Sequence, residues 1–291
     1  MVNSRRREFL QIELLIDTED LKGLSADDLE FKIVEENDIW LAKSYELLVD
    51  QFDIDVLDPI ERYVEWLGQN SLGINKFPYL LVAAYLKTGE KLFLVGVVSG
   101  NVMKIEEYVG HESSLQKNRF IFAIGHQVTA KALRTAGVKG IGTKLWNYAV
   151  ERASEIIRER GGSFEYSFLE AETESLGFWS RLGYLWPKGM DYWQPPLEFD
   201  ETGQYLHPEV TEIPLLKPIE ADKSNAIEPT MLKNLIATVY YNWALVKYKT
   251  SLTPEAFKKA EDYVMGEVFD RVCQTIPNNG SVKLIAYERK N

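Results

Sequence analysis

Between Arg134 and Val150 the chain reads RTAGVKGIGTKLWNYAV, and the chemistry on offer is anion binding. Gly137, Gly140 and Gly142 crowd the approach to an apolar-patterned helix. A helix N-terminus presents unbonded N–H groups and a partial positive charge, both of which attract phosphate. Glycines without a Cβ let backbone approach a ligand closely and accept positive φ. Thr143 adds a hydroxyl and Lys144 a charge. The plainer reading is a tight turn followed by a helix cap. Acid–base candidates lie on either side of this stretch. His126, beside Gly125, has a ring that titrates near neutral pH and could take a proton from an ammonium substrate; otherwise it is a hydrogen-bonded strand histidine. Glu170 and Glu172 close the next apolar segment, as bases, as amine-binding carboxylates, or simply as a solvated strand end.

Two other phosphate motifs fail on residue order. A Walker loop, G-x-x-x-x-G-K-[ST], fits the spacing from Gly137 to Gly142, but Thr143 and Lys144 stand reversed. A dinucleotide fingerprint needs a third glycine where Leu145 stands. GVKGIGTKL, residues 137–145, instead resembles the pyrophosphate-arm motif [QR]-x-x-G-x-[GA] of the GNAT superfamily, the acyl-CoA-dependent N-acetyltransferases. The match falls on Gly140, Ile141, Gly142 and Leu145. One strand later, ETESLGFWSRLGY, residues 172–184, resembles the family's N-x-x-[AS]-x-x-F-Y-x-x-x-G-F at Ser175, Phe178, Gly183 and Tyr184. Three residues depart from the pattern: Gly137 replaces the family's Gln or Arg, Glu172 its Asn, and Trp179 its Tyr. That tyrosine often reprotonates the departing CoA thiolate, whereas an indole has no such proton to give.

The resemblance implies a set of roles. The amides of Val138, Lys139, Gly140, Ile141, Gly142 and Thr143 would hold the pyrophosphate of acetyl-CoA or another acyl-CoA, with the Lys139 side chain at the rim. Lys131, Ala132 and Leu133, on the preceding strand, would pair with pantetheine. One of their N–H groups would polarise the thioester carbonyl as an oxyanion hole does. Trp179 takes the cofactor-side position of the missing tyrosine, although with Phe178 it also reads as packing. Tyr184 is the substitute acid, at a position the family uses for packing. Trp186, Tyr192 and Trp193 are candidates for a pocket wall beside the acceptor.

The elements that must carry these residues follow from patterning. Residues 29–38 alternate apolar and polar as a strand. A helix over 39–52 has Asp38 as its N-cap, and Pro59 opens another that reaches about residue 67. A hairpin follows, with strands over 79–86 and 91–105, and RFIFAIGHQVTAKAL predicts a third long strand over 119–133. Apolar residues at helical spacing predict a helix over 142–160, ended by Gly161 and Gly162. Residues 163–172 form a strand and 174–182 a short helix. Beyond residue 196 the sequence predicts a linker with one strand near TEIPLL, then helices over 229–247 and 254–274, with Thr253 capping the second, and a terminal strand over 281–290. The aromatic stripe of Tyr240, Tyr241 and Trp243 reads as packing. The expected organisation is an N-terminal segment (1–27), an acyl-CoA-binding domain (28–198), and a linker with a C-terminal helix pair and terminal strand (199–291). The fold class implied is α/β (α+β): a GNAT-like, mixed, mostly antiparallel sheet flanked by helices, with a C-terminal helical extension.

Composition bounds the function. The chain has 291 residues, 45% apolar and 26% charged, as a globular protein with a full core requires. A net charge of −11 without a dense basic footprint argues against nucleic-acid binding and suits a cationic substrate. The only cysteine, Cys273, fits a reducing compartment, and the apolar N-terminal stretch is broken by Glu8, Gln11, Glu13 and Asp17. A cytoplasmic protein is expected, without a membrane anchor or a metal. The expected activity is transfer of a short acyl group to a small-molecule or peptide primary amine by direct attack. No Cys/His or Ser/His arrangement suggests a covalent intermediate. The alternative is a non-catalytic acyl-CoA-binding or sensing protein of the same fold. The C-terminal extension is a candidate homodimer surface.

Overall fold

The computed structural model describes residues 11–14, 25–52, 57–73, 76–88, 91–109, 118–220 and 225–287. The basic run Arg5, Arg6 and Arg7, most of the expected 1–27 segment, the turn at Gly89 and Glu90, and the 288–290 end of the expected terminal strand lie outside these residues. The chain divides into two compact units: Met1–Asn101 with Ile124–Ala153, and Val102–Ala123 with Ser154–Asn291.

The first unit runs through β1 (Gln11–Glu13), a 3-10 turn (Ala26–Asp28), β2 (Leu29–Ile33), α1 (Ile39–Val49), α2 (Ile60–Ser71), β3 (Tyr79–Thr88) and most of β4 (Lys91–Lys104). After the chain returns it adds the end of β5 (Arg119–Thr129), α3 (Lys131–Thr135) and most of α4 (Ile141–Glu159). Its strands stand in the order β5-β4-β3-β2. β2 and β4 pair antiparallel with β3, and β1 lies parallel on β4. α1 begins where the side chain of Asp38 accepts the amide of Trp40 at 3.2 Å, as an N-cap should. β3 and β4 are buried along most of their length, which explains their nearly continuous apolar sequence. A bulge sets Val95 outside the β3–β4 register, and its carbonyl accepts the amide of Ala130 at 2.9 Å. That bond pins the corner where β5 ends.

β5 stops at Thr129, short of the expected strand over 119–133. Lys131, Ala132 and Leu133 lie instead in the helical turn of α3, with Leu133 N–H bonded to the Ala130 carbonyl at 3.2 Å and Ala136 N–H to that of Ala132 at 2.9 Å. Their composition explains the difference. Ala130, Lys131, Ala132, Leu133 and Arg134 are all strong helix formers, and no β-branched residue stands between Thr129 and Thr135. α4 buries Ile141, Leu145, Trp146, Ala149, Ala153 and Ile157, a single stripe at helical spacing.

In the second unit α4 ends at Gly161, whose φ of +65° supports the bond from Gly162 N–H to the Ile157 carbonyl. There follow β6 (Ser163–Ala171), α5 (Leu176–Arg181), β7 (Trp186–Pro187), β8 (Trp193–Gln194), β9 (Val210–Thr211), β10 (Ile213–Pro218) and β11 (Ala226–Ile227). The chain closes with α6 (Pro229–Tyr240), α7 (Pro254–Glu261), α8 (Phe269–Thr275) and β12 (Val282–Ile285). The strand order here is β10-β6-β5, with β10 antiparallel to β6 from Ile213 opposite Ala171. β12 lies between β11 and β7, and β8 pairs with β9.

The expected C-terminal helices each contain a π-helical turn, Tyr241–Leu245 after α6 and Asp262–Val268 between α7 and α8. In the first, the Asn242 side chain donates to the Thr238 carbonyl at 2.6 Å, occupying the acceptor that α-helical geometry would give to a backbone N–H. Thr253 caps α7, its hydroxyl accepting the Ala256 amide at 3.2 Å. α6 is buried almost throughout. Its Asn234 accepts the amides of Tyr108 and Val109, each at 2.8 Å, and its Thr238 accepts that of Glu106 at 3.1 Å. These bonds hold the segment that leaves β4.

Candidate functional site

The glycine loop of the first unit is open. Gly137 and Gly140 are exposed and have φ of +74° and +89°, conformations in which an L side chain is strained. Among the described residues, a Cβ at Gly137 would meet nothing within 4 Å, and one at Gly140 only Ala26 at 3.7 Å. The Val138 amide is already used, donating to the Leu133 carbonyl at 3.0 Å and closing α3. The first bond at the head of α4 runs from Lys144 N–H to the Gly140 carbonyl at 3.0 Å. The amides of Ile141, Gly142 and Thr143 therefore lie ahead of the helical ladder, where the dipole concentrates positive charge.

Three neighbours set this loop. Gln127 on β5 donates its side-chain amide to the Gly142 carbonyl at 2.9 Å, joining strand to helix. Gly96 on β4 leaves room beneath the helix, since a Cβ there would stand 3.2 Å from both Leu145 Cδ2 and the Val128 carbonyl. Lys144 is paired with Asp27, which lowers the Asp27 pKa through the hydrogen bond and charge of Lys144. Lys139 and Thr143 are exposed, and Ile141 is buried under the loop. His126 is half-buried, its ring edge-on to Phe52 at 5.0 Å. Lys131 donates to the Asp50 carbonyl at 3.0 Å.

In the second unit the notable group is Glu170 on β6. It is part-buried, Tyr192 donates its hydroxyl to Oε1, and Gln194 donates its amide to Oε2. Burial pushes its pKa up to about 7, against the two hydrogen bonds, and the charge of Glu212 adds to the rise. Glu212 is itself raised, first by burial and then by Glu172. Glu172 is exposed. Phe168, two residues before Glu170 and on the same strand face, lies 5.9 Å from Trp243 and 6.3 Å from Tyr192.

Tyr184 is 1% exposed, and its hydroxyl lies 2.5 Å from that of Ser167. Trp179 is also buried, edge-on to Tyr184 at 5.3 Å and to Phe178 at 4.8 Å. Trp186 meets Tyr287 at 5.7 Å. Four contributors went unread in the sequence: Gln127, Gln194, Glu212, and Tyr240 in any role beyond packing. The available signal was alternation, which puts Tyr192 and Gln194 on one face around Trp193. Among the described residues, no group of three or more His, Cys, Asp or Glu could hold a metal ion, and no helix is long and apolar enough to cross a membrane.

No known family profile matches the chain. No curated protein sequence matches it. Among solved structures it is similar to Arabidopsis thaliana NAA60 in complex with acetyl-CoA, with TM-score 0.45 and 15% identity over 66% of this chain and 99% of that one. It is similar to a Bacteroides thetaiotaomicron protein assigned to the GNAT family of acetyltransferases, with TM-score 0.45 and 16% identity over 74% of this chain and 98% of that one. A variant of spermidine N-acetyltransferase SpeG from Vibrio cholerae is similar at TM-score 0.39 and 14% identity, over 66% of this chain and 94% of that one.

Proposed function

We propose that this chain is a GNAT-type N-acyltransferase that moves an acetyl or other short acyl group from an acyl-CoA to a primary amine. The observation that carries this reading is the open glycine loop, with Gly137 and Gly140 at positive φ and the amides of Ile141, Gly142 and Thr143 ahead of the first bond of α4. Those amides take the pyrophosphate, with the Thr143 hydroxyl beside them and the Lys139 and Lys144 charges nearby. The side-chain bond from Gln127 keeps the first turn of α4 in place while the ligand is bound. Acetyl-CoA, the ligand of the NAA60 structure, is the first acyl donor to try.

Transfer then needs a neutral amine. Glu170 accepts the proton as the amine nitrogen bonds to the thioester carbon, the C–S bond breaks, and CoA leaves as the thiolate. A carboxylate titrating near 7 is matched to this task at neutral pH. Glu172, exposed and one residue past the end of β6, draws the cationic acceptor by charge. His126, half-buried on β5, is the other candidate for the base. Trp179 and Tyr184 serve this reading by packing, because both are enclosed by protein.

The test supplies acetyl-CoA with a panel of primary amines and follows free thiol. Amine-dependent thiol release supports transfer. Calorimetric binding of CoA without release on any amine would favour an acyl-CoA-sensing protein, the reading suggested by Trp179 at the place of the family's acid. No CoA binding at all would remove both readings.

A further inference from the structure

Tyr192 and Gln194 flank Trp193 in extended backbone, so their side chains share a face. Each donates to a different oxygen of Glu170. The Trp193 carbonyl accepts the hydroxyl of Tyr240 on α6, and the Tyr192 and Tyr240 rings meet edge to face at 5.6 Å. Arg271 on α8 lies over the Trp193 ring at 5.3 Å and is paired with Glu209 at 2.6 Å. Tyr240, Arg271 and Glu209 belong to the C-terminal extension.

We propose that Tyr192 and Gln194 are positioning residues that fix both oxygens of Glu170, and that the C-terminal extension, through Tyr240, holds the strand that carries them. The proposal rests on acyl transfer with Glu170 as the base. Its chemical point is the kind of partner chosen. Among the described residues no cation pairs with Glu170, and its partners are two neutral donors. A paired cation would keep the carboxylate ionised at every working pH and hold its lone pairs. Neutral donors orient the group and stabilise the anion only in part, so it can take a proton and return it. The charged and titratable groups around it are Tyr192 beside β8, Glu212 next to β10, Glu172 just past the end of β6, Tyr240 on α6, and Arg271 on α8 above Trp193. Glu212 opposes ionisation of Glu170, whereas the two donors favour it.

Opposite signs make the idea testable. Tyr192→Phe and Gln194→Leu each remove a donor to the anion, so the acid limb of kcat/KM for acetyl transfer should move up by about one pH unit. Glu212→Gln removes a like charge, so the limb should move down. Tyr240→Phe should move it up by less, and Gln194→Asn should restore part of the Gln194→Leu shift. The same variants are read without turnover by carboxyl-13C NMR of glutamate-labelled protein, with the Glu170 signal identified by its loss in Glu170→Gln. Midpoints that stay put in both Tyr192→Phe and Gln194→Leu, by kinetics and by NMR, overturn the proposal. If the NMR midpoints move but Glu170→Gln retains full turnover, the base assignment fails and the catalytic purpose of the clamp fails with it. If CoA does not bind, the acyl-transfer reading fails, and NMR still reports whether the clamp sets the charge of Glu170.

Discussion

Gln127 donates its side-chain amide to the carbonyl of Gly142 at 2.9 Å, while its own Oε1 is buried without a partner among the described residues. The side chain is therefore half satisfied. The bond contributes about 1 kcal/mol, and the orphaned oxygen costs a similar amount. Gln127→Leu removes both, so folding stability should change by less than about 0.5 kcal/mol. What it does remove is the tether on the first turn of α4. The dissociation constant for CoA should rise about fivefold, the equivalent of roughly 1 kcal/mol. Calorimetry beside a denaturant titration separates the two effects. Unchanged affinity would mean that Gln127 has no part in holding the loop.

The loop's backbone makes a second demand. At Gly140, with φ of +89°, alanine is strained although it has room, because the nearest side-chain atom is Ala26 Cβ at 3.7 Å. Left-handed backbone costs an L residue about 1–2 kcal/mol. Gly140→Ala should lose about that much stability, and part of the lost order should appear as weaker CoA binding. Gly137→Ala at φ +74° carries the same strain with open space around it. If urea unfolding shows both variants as stable as the parent, the left-handed turn is not required.

These two positions show why the glycine loop was legible. A glycine at positive φ is selected by its own backbone, so its spacing survives in the sequence as a motif. The caps at Asp38 and Thr253 and the stop at Gly161 are local in the same way, and sequence and structure agree on them. The end of β5 differs from the sequence expectation because Ala132 and Leu133 are apolar, and apolarity alone does not separate strand from helix. The helical propensity of residues 130–136 decides it. The π-helical turn after α6 is invisible in the sequence, since one side-chain bond from Asn242 to the Thr238 carbonyl leaves no periodic trace. Around Glu170 the sequence offered a carboxylate at a strand end and no more. Its two donors sit 22 and 24 residues away, brought in by the fold of β6 and β8.

Lys144 opens a third prediction. Its ammonium is held by Asp27, at the 3-10 turn Ala26–Asp28. Both groups stand in solvent, so the pair does little for folding. It matters for the anion instead. A carboxylate beside the head of α4 repels phosphate and occupies the lysine that would meet it. Asp27→Asn should tighten CoA binding a few-fold at low salt and lose that gain as added salt screens the charge, with an unchanged melting temperature. Weaker binding in Asp27→Asn would show instead that Asp27 holds Lys144 where the ligand needs it.

Glu170 gives stability and activity opposite responses to pH. Burial raises its pKa from 4.5 to about 7 in the folded chain. The folded state thus binds more protons than the unfolded state between these values, and stability falls as pH rises through that window. The loss is about 3–4 kcal/mol at most, since one pKa unit is worth about 1.4 kcal/mol. Above pH 7 no further change comes from this group. Glu170→Gln keeps a neutral side chain at every pH, so its stability relative to the parent should climb between pH 4.5 and 7 and then level off. Acyl transfer needs the ionised form, so kcat/KM of the parent should rise through a midpoint near 7 and Glu170→Gln should lose most of the turnover. Equilibrium unfolding at several pH values, set beside the pH–rate profile, reads both. Parallel stability curves for the two proteins would mean that Glu170 titrates normally, and a turnover midpoint near 7 would then have to belong to another group.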